Sequence, residues 1–199
     1  MNFYNPKYHH RKSIRLKGYD YSQAGLYFIT ICCQNRAHLF GGVMQQQMIL
    51  NDAGKMIEKW YVELENKFSD MQCHEMIVMP NHVHFIIENV GPVGADLRVC
   101  PKNDSGSSTN ENVSGSSVSD ILGEHVGSPL HRVVGWFKTM TTNEYIRGVK
   151  NNNWQSFDGK LWQRNYWEHI IRNDHSYKKI SEYIINNPSK WNDDSFFSE

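Results

Sequence analysis

Residues 79–88 read MPNHVHFIIE, and this stretch decides how the rest of the sequence is interpreted. Side chains at alternate positions of a strand point to the same face, so His82 and His84 are predicted to lie side by side. The apolar residues between and after them would enter the core behind that face. Residues 74–79 form a second short run, and the Pro80-Asn81 pair favours a tight connection between two strands.

Two imidazoles on one face of a strand allow two interpretations. They suit a single divalent cation, because neutral imidazole is a common metal ligand. An isolated H-x-H pair, however, more often belongs to two solvent-facing histidines on a half-buried strand, since metal sites need three or more ligands. A third ligand is therefore needed to choose between them.

Asn187 is the candidate for that ligand, because a side-chain carbonyl oxygen suits Mg²⁺ or Mn²⁺. It follows Tyr183 by four residues on a predicted last helix, which must end near Asn187 because Pro188 removes a helical donor. Tyr183 and Asn187 would then share a face over the histidine strand. The alternative is that Tyr183 belongs to an apolar stripe with Ile180 and Ile184, and that Asn187 only ends the helix.

The order of predicted elements favours an α+β fold, a ferredoxin-like sandwich with helices packed on one face of a mainly antiparallel sheet. The predicted order along the chain is strand, strand, helix, two strands, helix, strand and helix. The elements outside the histidine strands are a strand at 27–33, a weaker strand at 43–50, a helix capped by Asn51, a helix starting at Ser128-Pro129, an extended segment at 162–172 and a helix capped by Asp174.

The composition divides the chain into a domain, an insertion and two ends. Residues 91–128 hold 6 of the 14 glycines, 8 serines and no aromatic residue, so they cannot bury enough apolar area to offset ordering entropy. We predict a flexible insertion at about 95–127 within a single domain at 25–192. A basic arm at 1–24 precedes that domain and an acidic tail at 193–199 follows it.

The zero net charge is a sum over regions of opposite sign. Residues 1–40 hold six basic and one acidic residue, and residues 129–190 hold ten basic and five acidic residues. Residues 41–128 hold five basic and twelve acidic residues. Two basic ends leave an electropositive face possible, so neutrality does not exclude a nucleic-acid partner.

The cellular setting is predicted to be the cytoplasm, with no membrane partner. The four cysteines form no CxxC pair, so reduced thiols are expected. The N-terminus lacks an apolar leader segment, and no stretch approaches the roughly 18 apolar residues of a membrane helix.

The sequence resembles a family at several blocks that occur in the family's order. PNHVHFIIE at 80–88 resembles the HUH motif of single-tyrosine transposases of the insertion-sequence-200-like kind. GWFK at 135–138, LWQRNYWEHIIR at 161–172 and EYIINNP at 182–188 resemble the REP-associated tyrosine transposases. The similarity covers about 22–90 and 129–192.

This resemblance implies a mechanism and a set of site residues. His82, His84 and Asn187 would hold Mg²⁺ or Mn²⁺, and Tyr183 would attack a DNA phosphodiester to give a 5′-phosphotyrosine and a free 3′-hydroxyl. The expected substrates are single-stranded DNA and hairpins formed by short palindromic repeats. The family includes monomers and homodimers, so both states remain open.

DNA contacts are expected from the basic ends. His169 is a further candidate for orienting a phosphate, with a hydrogen-bonded strand histidine as the alternative. Two other functions remain open: a catalytically silent hairpin-DNA-binding protein, and a metal-dependent phosphohydrolase that uses water as nucleophile. The predicted DNA contacts are Arg11, Lys12, Arg15, Lys17, Lys138, Gln163 and Arg164.

Overall fold

The computed structural model describes residues 19–91 and 129–197. Most of the predicted basic arm and all of the predicted insertion therefore lie outside the described residues. Two short 3-10 turns occur at Gln34–Arg36 and Pro188–Asp193. The strands are β1 (Gly25–Cys32), β2 (Gly41–Met44), β3 (Gln47–Leu50), β4 (Met71–Met79), β5 (His82–Asn89) and β6 (Trp167–Ile171), and the helices are α1 (Asp52–Lys67), α2 (Pro129–Asn151) and α3 (Asp174–Asn186).

The main sheet has four strands in the order β4-β5-β1-β6. Every neighbouring pair in it is antiparallel. With α1 between β1 and β4, and α2 between β5 and β6, the chain follows the β-α-β-β-α-β order of a ferredoxin-like fold. The predicted α+β fold class is confirmed.

One face of the sheet and the helices α1 and α2 enclose the main core. Tyr27, Ile29 and Ile31 of β1 alternate onto this face and are fully buried against both helices. The α1 helix begins where predicted, because the Asn51 side chain accepts a hydrogen bond of 2.9 Å from the Gly54 amide. Because side chains alternate along a strand, the intervening residues of β1 and β5 point to the other face of the sheet.

The third helix packs on the opposite face, so the prediction that all helices share one face is wrong. Ile184 of α3 is buried against Phe28, Ile86 and Ile171. The β1 strand is apolar at nearly every position, so it can bury both faces, as strands covered on two sides do. The cap of α3 is Asn173, whose side chain accepts from the Ser176 amide, and Asp174 is the first helical residue.

The predicted strand at 43–50 is a hairpin of β2 and β3. Gln45 and Gln46 connect the two strands with φ angles of 50° and 63°. Two consecutive residues with positive φ match a type I′ turn, which usually contains Asn or Gly. Because both positions are glutamine, the sequence does not predict this turn.

Cysteines and helices can be assessed within residues 19–91 and 129–197. There Cys32, Cys33 and Cys73 are free thiols, and Cys100 lies outside that part of the chain. None of the described helices combines the length and apolar character needed to span a membrane.

Candidate metal and tyrosine site

The histidine pair, His82 and His84, lies on the face of the sheet opposite the main core. The pairing of β1 with β5 sets His84 beside Thr30 and His82 beside Cys32. Both imidazoles are buried, with exposed fractions of 0% and 1%. Their Nε2 atoms lie 3.0 Å apart, so the interpretation as two solvent-facing histidines is wrong.

The other ring nitrogen of each histidine has its own partner. The Nδ1 of His82 lies 2.8 Å from the side-chain oxygen of Asn81, which only accepts, so this Nδ1 carries the proton. The Nδ1 of His84 lies 2.8 Å from the Thr30 hydroxyl. Hydrogen bonds at one ring nitrogen orient the ring and leave the other nitrogen available as a ligand.

Burial keeps both imidazoles neutral. Desolvation, with a smaller effect from the Arg36 charge, lowers the pKa of His82 to about 3. Desolvation and the neighbouring His82 lower the pKa of His84 well below its ordinary value. Neutral imidazole is the form that binds a metal ion, so the pair is ready to do so at neutral pH.

The Tyr183 side chain lies over this pair from α3. Its hydroxyl is 3.3 Å from the Nε2 of His84, and the two rings are 5.3 Å apart. The residue is 40% exposed, so its ring is not enclosed in the core. Burial and then the Asp194 carboxylate raise the pKa of Tyr183, while the amide of Asn187 lowers it. The phenol is therefore protonated at neutral pH and would need a nearby positive charge to ionise.

Asn187 is the C-terminal cap residue of α3, and its side chain is hydrogen-bonded to an acidic residue. Its Nδ2 donates to the Asp194 carboxylate at 3.0 Å. Its Oδ1 is buried and has no hydrogen-bond partner among the described residues. An unpaired buried acceptor is costly unless something positive meets it, so this oxygen fits a cation ligand.

Asp194 joins the two histidines in a group of side chains that could hold a metal ion, and it is not among the ligands predicted from the sequence. Ligand atoms of His82, His84 and Asp194 all lie within 4.8 Å of one another. Two neutral imidazole nitrogens and a carboxylate form a donor set that fits a divalent cation such as Mn²⁺ or Mg²⁺, and the Asn187 amide lies against that carboxylate. In the sequence, Asp194 belongs to the acidic tail at 193–199. It lies more than 100 residues after the histidines, so no local pattern predicts this contact.

Residues 194–197, the C-terminal segment, close one side of the histidine pair. The Phe196 ring lies 4.7 Å from His82 and 5.8 Å from His84. The Asn81 amide donates to the Phe196 carbonyl at 2.9 Å, and Arg36 donates to the Ser195 carbonyl at 2.9 Å. These contacts hold Asp194 beside the histidines.

A cleft of about 550 Å³ lies beside Tyr183, and Phe196 of the C-terminal segment also lines it. We call this feature the aromatic cleft, and it borders the histidine pair at His84. Among its lining residues are Phe28, Thr30, Gln163, Asn165, Trp167 and Tyr183.

Three of the predicted DNA contacts lie in the described residues, at or near the aromatic cleft, and four lie outside them. Gln163 lines the aromatic cleft and Arg164 is exposed next to it. The Lys138 ammonium donates to the carbonyls of Gln163 and Arg164 at 2.6 Å and 3.1 Å, so it holds this segment in place. His169 is exposed, with its ring parallel to Trp167 at 5.9 Å. The remaining contacts, Arg11, Lys12, Arg15 and Lys17, lie outside the described residues.

The chain has relatives among known proteins, although no protein-family profile matches it. An "Uncharacterized protein" of Haemophilus influenzae is 39% identical and covers 98% of this chain and 97% of its own length. A "Putative REP-associated tyrosine transposase" of the same species is 22% identical over 86% of this chain and 74% of its own length. A solved REP-associated tyrosine transposase bound to a REP hairpin is 17% identical, with a TM-score of 0.47, over 83% of this chain and 67% of that one.

The resemblance that the motifs indicate is confirmed by the second of these relatives, which matches both sides of the insertion. The first relative is similar along nearly the full length of both chains. This chain therefore belongs to one family with the uncharacterized Haemophilus influenzae protein, and its similarity extends to the REP-associated tyrosine transposases.

Proposed function

We propose that the protein cleaves and rejoins single-stranded or hairpin DNA through a 5′-phosphotyrosine formed on Tyr183. The observation that carries this proposal is the Tyr183 hydroxyl, 3.3 Å from the Nε2 of a buried histidine, on a residue that is 40% exposed and lines the aromatic cleft. A phenol that only packed in the core would not combine these two properties. The similarity to a REP-associated tyrosine transposase supports the same reaction class.

A divalent cation, Mn²⁺ or Mg²⁺, fits the donor set described above. His82 and His84 would hold it, with Asp194 and the Oδ1 of Asn187 as the oxygen ligands. When bound, such an ion favours the phenolate and draws charge from the scissile phosphate. The neutral histidines supply ligands without adding positive charge of their own.

The proposed reaction exchanges one phosphodiester bond for another at Tyr183. The Tyr183 oxygen would attack phosphorus and form the P–O bond while the bond from phosphorus to the 3′ oxygen breaks. The phenol proton passes from the hydroxyl to a water molecule, and the departing 3′ oxygen takes a proton from water to become a hydroxyl. One phosphodiester replaces another, so a later 3′-hydroxyl can reverse the step without ATP.

DNA contacts outside the reaction centre would come from basic residues at both ends of the chain. Arg11, Lys12, Arg15 and Lys17 are proposed to follow phosphates. Gln163 and Arg164 are proposed to contact the strand at the aromatic cleft, with Lys138 fixing their backbone. The working state would be a monomer or a homodimer.

The test incubates the protein and Mn²⁺ with a labelled hairpin oligonucleotide that carries single-stranded flanks, followed by denaturing electrophoresis. We expect a covalent protein–DNA band in the wild type and none in Tyr183→Phe. The matched control that keeps the band is Tyr19→Phe, because Tyr19 packs against the main core on the other face of the sheet. DNA binding with no band on any hairpin would favour the silent binding protein. Cleavage that persists in Tyr183→Phe without a covalent band would favour the phosphohydrolase.

A further inference from the structure

The aromatic cleft has one large apolar surface that the proposed chemistry does not use. Trp167 is 55% exposed, the largest exposed aromatic side chain in the described residues. Exposing an indole to water is unfavourable, so an exposed tryptophan beside a reactive group indicates a binding surface.

The rings around Trp167 hold it in a defined orientation. Its ring meets Phe28 edge-on at 5.7 Å, with an interplanar angle of 77°. On its own strand, His169 lies parallel to it at 5.9 Å and 6°. Phe28 also meets Tyr183 edge-on, at 6.1 Å and 88°. One buried ring thus separates the exposed indole from the proposed nucleophile.

The polar groups at the cleft suit a flat heterocycle more than an apolar chain. The amide side chains of Gln163 and Asn165 line the same cleft, and each offers both donors and an acceptor. Arg164 between them is exposed, and the segment 160–172 carries three basic residues and one acidic residue. The single acid, Glu168, accepts a hydrogen bond from the Tyr21 hydroxyl.

We propose that the aromatic cleft is a subsite for one unpaired nucleobase next to the phosphate held at Tyr183, with Trp167 as the stacking platform. Asn165 and Gln163 face the edge of that base from the cleft wall. A strand with a stacked base at Trp167 and its phosphate at Tyr183 crosses Phe28 between them. This inference rests on the proposed function and names the part of the substrate that the site holds.

The test measures equilibrium binding in EDTA, so that no metal-dependent cleavage takes place. The probes are a fluorescein-labelled oligothymidylate of about 16 nucleotides and an abasic strand with the same number of phosphates. We expect the wild type to bind the thymidylate strand at least about fivefold more tightly than the abasic strand. Trp167→Ala should abolish that ratio, Trp167→Phe should keep most of it, and Val62→Ala on α1 should leave it unchanged, with thermal melting showing that all variants are folded.

Several outcomes would overturn the subsite. They are equal binding of both probes by the wild type, no measurable binding of the thymidylate strand, and an unchanged ratio in Trp167→Ala. If Trp167→Ala keeps the ratio but converts a dimer into a monomer in sedimentation, the exposed indole is a contact between copies of this chain. Base-dependent binding without a covalent band would end the cleavage proposal and keep the subsite, so the two failures are distinguishable.

Discussion

At the scale of single residues, the site depends on an acid that lies far from the histidines in sequence. Asp194 receives the Nδ2 of Asn187, which leaves the Oδ1 of Asn187 for a cation. The proposed oxygen ligands are therefore Asp194 together with Asn187. The spacing of Tyr183 and Asn187 predicts a shared helix face, but a contact between α3 and the chain after the Pro188 turn has no periodicity to reveal it.

Removal of the Asp194 charge should weaken metal binding more than removal of its neighbour's charge. We expect Asp194→Asn to lower the Mn²⁺ affinity by at least about tenfold, because a negatively charged oxygen ligand is lost while an amide oxygen remains to accept from Asn187. Asp193→Asn is the matched control, since Asp193 is exposed and carries the same charge. Isothermal titration calorimetry measures both, and equal affinities in the two variants would remove Asp194 from the site.

The buried histidines should make the metal-free protein less stable in mild acid. Burial lowers the pKa of His82 to about 3, against an ordinary value of 6.5 that holds in the unfolded chain. Between these values the unfolded state binds more protons, so stability rises with pH and is complete above about pH 6.5. A fall from about pH 6.5 to about pH 5 should cost roughly 2 kcal/mol of unfolding free energy for His82, at about 1.4 kcal/mol per pH unit.

Urea unfolding in EDTA measures this slope. The variant His82→Gln should show a flatter dependence on pH than the wild type, because one of the two buried imidazoles is gone. A wild-type stability that is constant or higher at about pH 5 would contradict the neutral pair.

At the scale of elements, α3 carries Tyr183, the proposed nucleophile. Its buried packing rests on Ile184 with Phe28, Ile86 and Ile171. Near its N-terminal end, the Tyr177 hydroxyl donates to the Glu75 carboxylate of β4 at 2.9 Å. The helix is thus anchored at one end by Tyr177 and at the other by Asn187.

Loss of the Tyr177 hydroxyl should loosen α3 selectively. Tyr177→Phe removes a hydrogen bond to a carboxylate, which contributes about 1.5–3 kcal/mol where water is excluded and less at this partly exposed position. We expect faster amide hydrogen exchange in α3 and unchanged exchange in α1. Equal protection of α3 in the two proteins would show that the apolar contacts alone hold the helix.

The elements that the sequence predicts correctly are those with strong local signals. The Asn51 cap, the proline at the start of α2 and the alternation in β1 and β5 all act within a few residues. The β2–β3 hairpin was missed because Gln45 and Gln46 adopt positive φ without the usual turn residues. The face chosen by α3 was missed because an all-apolar β1 does not specify which side is covered.

At the scale of the whole molecule, zero net charge conceals regions of opposite sign. The first 40 residues hold six basic residues and one acidic residue. The described acidic residues Glu63, Glu65 and Glu58 lie on α1, on the far side of the sheet from the aromatic cleft. Glu75 and Glu88 lie on the α3 side and have hydrogen-bond partners of their own, so the charge count alone does not exclude DNA approaching at α3 and β6.

Neutralising the N-terminal arm should change how DNA binding depends on salt. A variant with Arg11, Lys12, Arg15 and Lys17 replaced by glutamine should have a shallower slope of log affinity against log salt, by up to about 3, at about 0.7 per phosphate contact on single strands. The control is Lys55→Gln with Lys59→Gln on α1, which should leave the slope nearly unchanged. An unaltered slope in the arm variant would exclude the arm from phosphate binding.

The identity of the nucleophile can be read directly from the DNA-linked peptide. Trypsin separates the two tyrosines of α3, because Lys178 and Lys179 lie between them, so residues 173–178 contain Tyr177 and residues 180–190 contain Tyr183. After reaction with a hairpin oligonucleotide and Mn²⁺, and nuclease trimming of the DNA, mass spectrometry should find a nucleotide phosphate on the peptide 180–190. The same mass on 173–178, or cleaved DNA with no modified peptide at all, would contradict Tyr183 as the attacking residue.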